Sequence, residues 1–272
     1  MIIANMVWAI GQLDFTDQIR WIRNNGFAGV ALHACDCLNG GEGINPEISG
    51  VELVNLKQAL DAYVMVDIHA PFDSYDVILT SPNEDIRKAS VANITKTMLL
   101  AKELNASTVT IHPGNTRAAI SPTAKFDNLE KSLTELSGIA LQTGVKIGVE
   151  TKLLAGYELV KELNCPNIGL TLDTGHMVFD KNESLGNFGT IGNVIREYHD
   201  KIFHMHFHDY KAGTDHLPLG HGEINFAEII AALLEIDFKG SLCLELNPRY
   251  AGKKEIIASK KYLENLILNN QV

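Results

Sequence analysis

KIGVETKLLAGYELVKELNCPNIGLTLD (146–173) is the stretch on which the fold turns. Two strand-like runs, 145–150 and 167–173, enclose a helix-like segment at about 154–163, and each run ends on a carboxylate, Glu150 or Asp173. A strand, a helix and a second strand of these lengths read as a parallel pair joined by a crossover. Outward in both directions the unit recurs. VMVDIH (64–69) ends on His69, TVTIH (108–112) on His112, FHMH (203–206) on His206 and LCLE (242–245) on Glu245. Six metal-ligand-type residues at the C-terminal ends of six strands in a row describe a ring at one mouth of a closed parallel barrel. Active sites of (β/α)8 barrels lie on that face.

Side chains alternate faces along a strand. The residues just before the six, Ile68, Ile111, Val149, Leu172, Met205 and Leu244, are all apolar and are expected to face the helical shell. Two before each come Asp67, Thr110, Gly148, Thr171, His204 and Cys243, pointing inward one layer lower. That layer is small or polar, where barrel interiors ordinarily carry branched aliphatics. It reads as a set of groups able to hydrogen-bond the ligands above.

The rest of the chain fits the same period. Further strands fall at about 1–8 and 29–34, and helices at about 14–24, 49–60, 82–103, 225–235 and 252–268. Pro122 opens a fourth helix that Gly144 closes, following the preference for proline early and glycine just past the end. The segments 177–193 and 208–223 read as irregular loops. Strand then helix, eight times, makes residues 1–272 a single α/β domain, a (β/α)8 TIM barrel, near the usual size of about 250 residues.

Composition agrees with an ordinary soluble globule: 46% hydrophobic and 21% charged residues, with no apolar run of membrane-spanning length. The opening MIIANMVWAI lacks a basic leader and a cleavage site, so it reads as a first strand in a cytoplasmic protein. Cys35 and Cys37 form CxC rather than CxxC, and with Cys165 and Cys243 they read as reduced structural thiols. A net charge of −10 without a Lys/Arg cluster argues mildly against a nucleic-acid partner.

Glu150, Asp173, His206 and Glu245 form the sharpest set. Their donors suit a divalent ion of intermediate hardness, Zn2+ or Mn2+, and carboxylates so close need a cation or a proton between them. His69 and His112, beside Glu150, read either as ligands of a second ion or as neutral imidazoles that bind a sugar hydroxyl or phosphate. His176 in DTGH (173–176), and His208, Asp209 and His216 in the following loop, read as substrate contacts or as a third metal group. Dinucleotide, Walker A, nucleophile-elbow and HExxH motifs are absent from the sequence.

Together HAPF (69–72), HPG (112–114), ET (150–151), DTGH, HxHxHD (204–209), HLPLGHG (216–222) and LEL (244–246) resemble the xylose isomerase-like TIM-barrel superfamily, along nearly the whole chain. That superfamily includes endonuclease IV and sugar-phosphate isomerases, epimerases and inosose enzymes. In the sugar branches the resemblance implies one divalent metal on Glu150, Asp173, His206 and Glu245, with the two glutamates as acid/base pair. In the endonuclease branch it implies a second zinc on His69, His112 and Glu150 and a third on His176 and His216. There the motif has an aspartate two residues before the second histidine, where this chain has Thr214, with Asp215 one later; His221 and Thr151 also depart from that branch.

Two functions follow from the resemblance. The first is metal-dependent isomerisation or epimerisation of a small sugar, cyclitol or sugar phosphate by enediolate proton transfer. Glu150, Glu245 and His176 would be catalytic, and His69, His112, His208 and His216 would contact the carbohydrate. The second is multi-zinc phosphodiester hydrolysis at abasic sites in DNA. The resemblance also allows a homodimer.

Overall fold

The computed structural model describes residues 1–8, 10–35, 43–114, 120–150, 154–179 and 185–270. The strands are β1 (Ile2–Met6), β2 (Gly29–His33), β3 (Met65–His69), β4 (Thr108–Ile111), β5 (Lys146–Val149), β6 (Ile168–Asp173), β7 (Ile202–Phe207), β8 (Asp209–Lys211), β9 (Thr214–Leu217) and β10 (Ser241–Leu244). β1 to β7 and β10 form a closed parallel barrel in chain order, β10 pairing back onto β1, while β8 and β9 make a separate antiparallel hairpin. Between and after the barrel strands lie α1 (Phe15–Asn24), α2 (Gly50–Leu60), α3 (Glu84–Glu103), α4 (Pro122–Thr143), α5 (Leu154–Leu163), α6 (Thr174–Phe179), α7 (Ile191–Glu197), α8 (Phe226–Glu235) and α9 (Lys253–Asn269).

Side-chain caps fix where several helices start. Asp14, Asn83 and Ser121 each accept a backbone N–H from the first turn of α1, α3 and α4, which satisfies donors a helix leaves unpaired. Asn83 places the start of α3 at Glu84 rather than at Pro82.

Strand alternation divides the barrel into two environments. Ile68, Ile111, Val149, Leu172, Met205 and Leu244 all belong to the large core between strands and helices, each at most 1% exposed. Among the described residues the barrel interior holds a small apolar cluster, Ala4, Met6, Ala31 and Cys243. The rest of that inner layer is polar and buried. Thr110 and Thr171 share a hydrogen bond of 2.9 Å across the barrel. Gly148 on the intervening β5 makes this contact possible, because a Cβ there would stand 2.1 Å from Thr171 Oγ1.

Two segments differ from the sequence reading. The loop at 208–223 contains the β8–β9 hairpin, and α6 extends from Thr174 through Phe179 into the 177–193 segment. Cys37, Thr151 and most of the glycine-rich NGGEG stretch lie outside the described residues. Cys165 and Cys243 are free thiols. No described helix is long and apolar enough to cross a membrane.

Candidate metal centre

Strand register brings the ring together. Asp173 on β6 pairs with His206 on β7, and His206 pairs with Cys243 on β10, so Glu245 stands one step above. His206 Nδ1 lies 3.0 Å from Glu150 Oε2, 3.0 Å from Glu245 Oε2 and 3.8 Å from Asp173 Oδ2. All four side chains are at most 8% exposed. Glu150 Oε2 and His206 Nδ1 nevertheless have no partner in hydrogen-bonding geometry. Buried polar atoms that converge without bonding one another are the arrangement a cation would satisfy, and the three-carboxylate, one-imidazole set suits a divalent metal. Glu150, Asp173 and His206 indeed offer ligand atoms within 4.8 Å of one another.

The charges follow from this crowding. Burial opposes ionisation of His206, but Glu245 and Glu150 outweigh it and hold the imidazolium well above its usual range. Burial likewise opposes ionisation of Glu150 and Glu245, yet the histidines around them, His206 for both and His112 also for Glu150, keep both carboxyls well below theirs. Asp173 is also lowered: His176 and His208 overcome its burial.

Around this centre the sequence-derived residues take distinct places. His69 Nδ1 stands 2.8 Å from the Ala70 carbonyl, to which only a protonated nitrogen can bond. That leaves Nε2 with its lone pair, 3.2 Å from His112 Nε2 and 3.8 Å from Glu150 Oε2, and His112 Nε2 is 3.3 Å from the same oxygen. This group could hold an ion of its own. His176 reaches Glu150 Oε1 through Nδ1 at 2.8 Å, and its backbone N–H donates to Asp173 Oδ1 at 2.7 Å. His216 sits in the left-handed region at φ +52°, with Nδ1 3.1 Å from Asp215 Oδ1. A non-glycine residue held there is strained, as is common at ligand sites.

His208, expected to touch substrate, is engaged in bonds within the protein. Its side chain is 0% exposed, and Nδ1 accepts the His216 backbone N–H at 2.8 Å. Nε2 therefore carries the proton and donates to the Asp173 carboxylate at 2.8 Å. It holds Asp173 in place, and its ring stacks on His216 at 3.9 Å. Asp209 is likewise structural: its carboxylate accepts the backbone N–H groups of Tyr210, Gly220, Gly222 and Ile224. It fastens the hairpin and the turn after it, and so places His216. The group Asp173, His176, His208 and His216 has ligand atoms close enough for a cation, but His208 and Asp173 are already bonded to each other.

The structure adds residues that strand-end reading left aside. His33 stands beside His69 in register, with ring centroids 5.1 Å apart. Burial lowers its pKa to about 3, so the ring is neutral. Trp8 packs edge-on against His33 and His216, and Phe72 edge-on against His69 and tilted against His112. Aromatic faces around a polar centre suit a ring-shaped or carbon-rich ligand. Trp8 and Phe72 carry no ligand chemistry, so nothing in the sequence alone assigns them to the rim.

A closed parallel barrel with carboxylates and imidazoles ringing one mouth is a TIM barrel with a candidate metal site. The model for the xylose isomerase-like TIM barrel family matches residues 19–266, and the chain belongs to that family. An uncharacterised protein of Methanocaldococcus jannaschii is 34% identical over 233 residues, 80% of this chain and 76% of that one. An inosose isomerase of Halalkalibacterium halodurans is 29% identical over 170 residues, 56% of this chain and 58% of its own. Among solved structures, a D-tagatose 3-epimerase-like protein superposes with a TM-score of 0.81 at 26% identity, covering 100% of this chain and 98% of that one. The IolI protein with a bound zinc atom superposes with a TM-score of 0.80 at 22% identity over 99% of both chains, a likeness of fold.

Proposed function

We propose that this protein is a divalent-metal-dependent isomerase or epimerase acting on a small sugar, cyclitol or sugar phosphate. The observation that carries it is the convergence of Glu150, Glu245 and Asp173 on His206 Nδ1. Relatives and neighbours described as an inosose isomerase and as epimerase-like give the reading its substrate class. Glu150, Asp173, His206 and Glu245 would hold the ion, which supplies Lewis-acid polarisation of a substrate carbonyl and so acidifies the adjacent C–H. Glu150 or Glu245 then removes that proton, and the same or the other carboxylate returns one. Both carboxyls are held well below their usual range, so both enter the cycle as bases. His176 steadies Glu150 through Nδ1 and would hydrogen-bond the developing oxyanion. His216, Trp8, His33 and Phe72 line the rim for the carbohydrate.

The test is to load the protein with Mn2+ or Zn2+ and screen ketoses and inososes for isomerisation and for exchange of the C–H proton with deuterated solvent. Glu245→Gln is expected to lower turnover by about 100-fold or more and to weaken metal retention. Full activity in that variant would sink the assignment.

The preset lone pair of His69 favours a second reading, in which His69, His112 and Glu150 hold a further ion and the chemistry is phosphodiester hydrolysis at abasic sites in DNA. Elemental analysis separates the two readings. One ion per chain supports the isomerase. Two or three zinc ions, with nicking of abasic duplex that His112→Ala abolishes, support the phosphodiesterase.

A further inference from the structure

The polar layer inside the barrel contains titratable groups with no partner in hydrogen-bonding geometry. Asp67 on β3 and His204 on β7 have side chains 2% and 1% exposed, with His204 Nδ1 3.3 Å from Asp67 Oδ2. Yet both Asp67 oxygens, both His204 nitrogens and Ser241 Oγ lack a partner in hydrogen-bonding geometry. Ser241 pairs in register with His204, so the three side chains sit together inside the strands. Buried groups of this kind are costly unless satisfied, and a polar pocket with several such atoms is where an internal water binds.

Directly above stands His206. Its ring meets that of His204 edge-on at 4.9 Å and stacks on that of His69 at 5.7 Å. Its Nδ1 faces the carboxylates of the centre, while its Nε2 is buried without a partner. An imidazole that binds a metal through one nitrogen almost always donates the other N–H to a carboxylate, a carbonyl or a water, which fixes the ring and raises its basicity. Among the described residues, Asp67 and Glu150 are the two acidic side chains with buried, unbonded oxygens, and the unbonded Glu150 oxygen lies at Nδ1.

We propose that Asp67 is the positioning carboxylate of the centre. It accepts the His206 Nε2–H through a buried water that His204 and Ser241 also hold, and so aims Nδ1 at the cation. The inference rests on the proposed metal role of His206 but names residues one layer beneath it. It also explains why this barrel carries an acid and an imidazole where interiors are usually aliphatic.

The experiment uses zinc alone, without substrate. Zinc affinity is measured by competition with a chelator for the wild type, Asp67→Asn and Asp67→Ala, and nitrogen–proton NMR of the zinc-loaded wild type follows the His206 ring. The expected results are affinity lower by about 10–100-fold in Asp67→Ala, with partial rescue in Asp67→Asn, and a slowly exchanging Nε2–H on His206 with a cross-peak to a bound water. Unchanged affinity in a folded Asp67 variant overturns the proposal. So does a zinc-loaded wild type whose His206 Nε2 carries no slowly exchanging proton, a readout that stands even where the variants fail to fold. A wild type that binds no zinc or manganese at Nδ1 instead overturns the metal reading itself.

Discussion

Gly175→Ala tests whether His208 holds Asp173, and so whether the centre depends on this buried bond. Gly175 is in α6, and a Cβ there would stand 2.0 Å from His208 Cε1 and 2.4 Å from Nδ1. Ordinary contact begins near 3.4 Å, so the ring must retreat by about 1.4 Å, against an interior packed as densely as a crystal. His216 blocks one direction, its ring stacked at 3.9 Å and nearly parallel. A retreat of that size takes the 2.8 Å bond to Asp173 beyond hydrogen-bonding range. Overpacking costs about 1–3 kcal/mol and a lost charge-assisted bond about 1.5–3 kcal/mol. Alanine returns up to about 1 kcal/mol as a better helix former. The net expectation is a loss of about 1.5–6 kcal/mol, a fall in Tm of roughly 3–24 °C for a chain of this size. Freeing Asp173 should also weaken metal binding by about 10–100-fold. Denaturant unfolding of the metal-free protein and chelator competition with zinc measure the two effects separately. Stability and affinity both within twofold of wild type would refute the reasoning, because the overlap leaves no way to keep the bond.

Two further predictions concern protons and the hairpin. His206 is held well above its ordinary 6.5 in the metal-free chain, so it is charged at neutral pH, and metal binding at Nδ1 must expel one proton. Apparent affinity should therefore rise about tenfold per pH unit from about pH 6 upward and level off once pH passes the His206 pKa; calorimetry in buffers of different ionisation enthalpy reads the proton, and a flat profile would exclude His206 as the ligand. For stability without metal the sign is opposite: the His206 contribution is complete below 6.5 and is lost as pH rises through its folded pKa, while those of Glu150, Glu245 and Asp173 are lost as pH falls through theirs. Asp209→Asn should loosen the turn after the hairpin, since an amide offers one acceptor where the carboxylate now serves four backbone N–H groups. Amide exchange at Gly220, Gly222 and Ile224 should accelerate by about tenfold or more, for a local loss of about 1–3 kcal/mol, and unchanged exchange there would remove the loop-fastening role.

The barrel and its ring were legible in the sequence because both are local and periodic. An apolar residue just before each of His69, His112, Glu150, Asp173, His206 and Glu245 sets which face of its strand looks inward, and alternation with helices fixes parallel pairing. Whatever depends on distance between elements was not legible. His208 and Asp173 are 35 residues apart in the chain, and their bond exists because β6 and β7 lie side by side and α6 turns back over them. The sequence motif places His208 beside other candidates without saying whether it faces substrate or a carboxylate. Asp209 looks like one more acid in a polar loop until four N–H groups converge on it. Trp8, His33 and Phe72 meet the ring residues only through packing between elements, with β2 paired between β1 and β3 and Trp8 against His216 of the hairpin. Sequence alone thus determined which strands close the ring and which donors they carry, since strand parity is a property of consecutive residues. Tertiary structure decided which donors converge, which are bonded to one another and which are buried without a partner, because those outcomes depend on packing among residues that the chain order keeps apart.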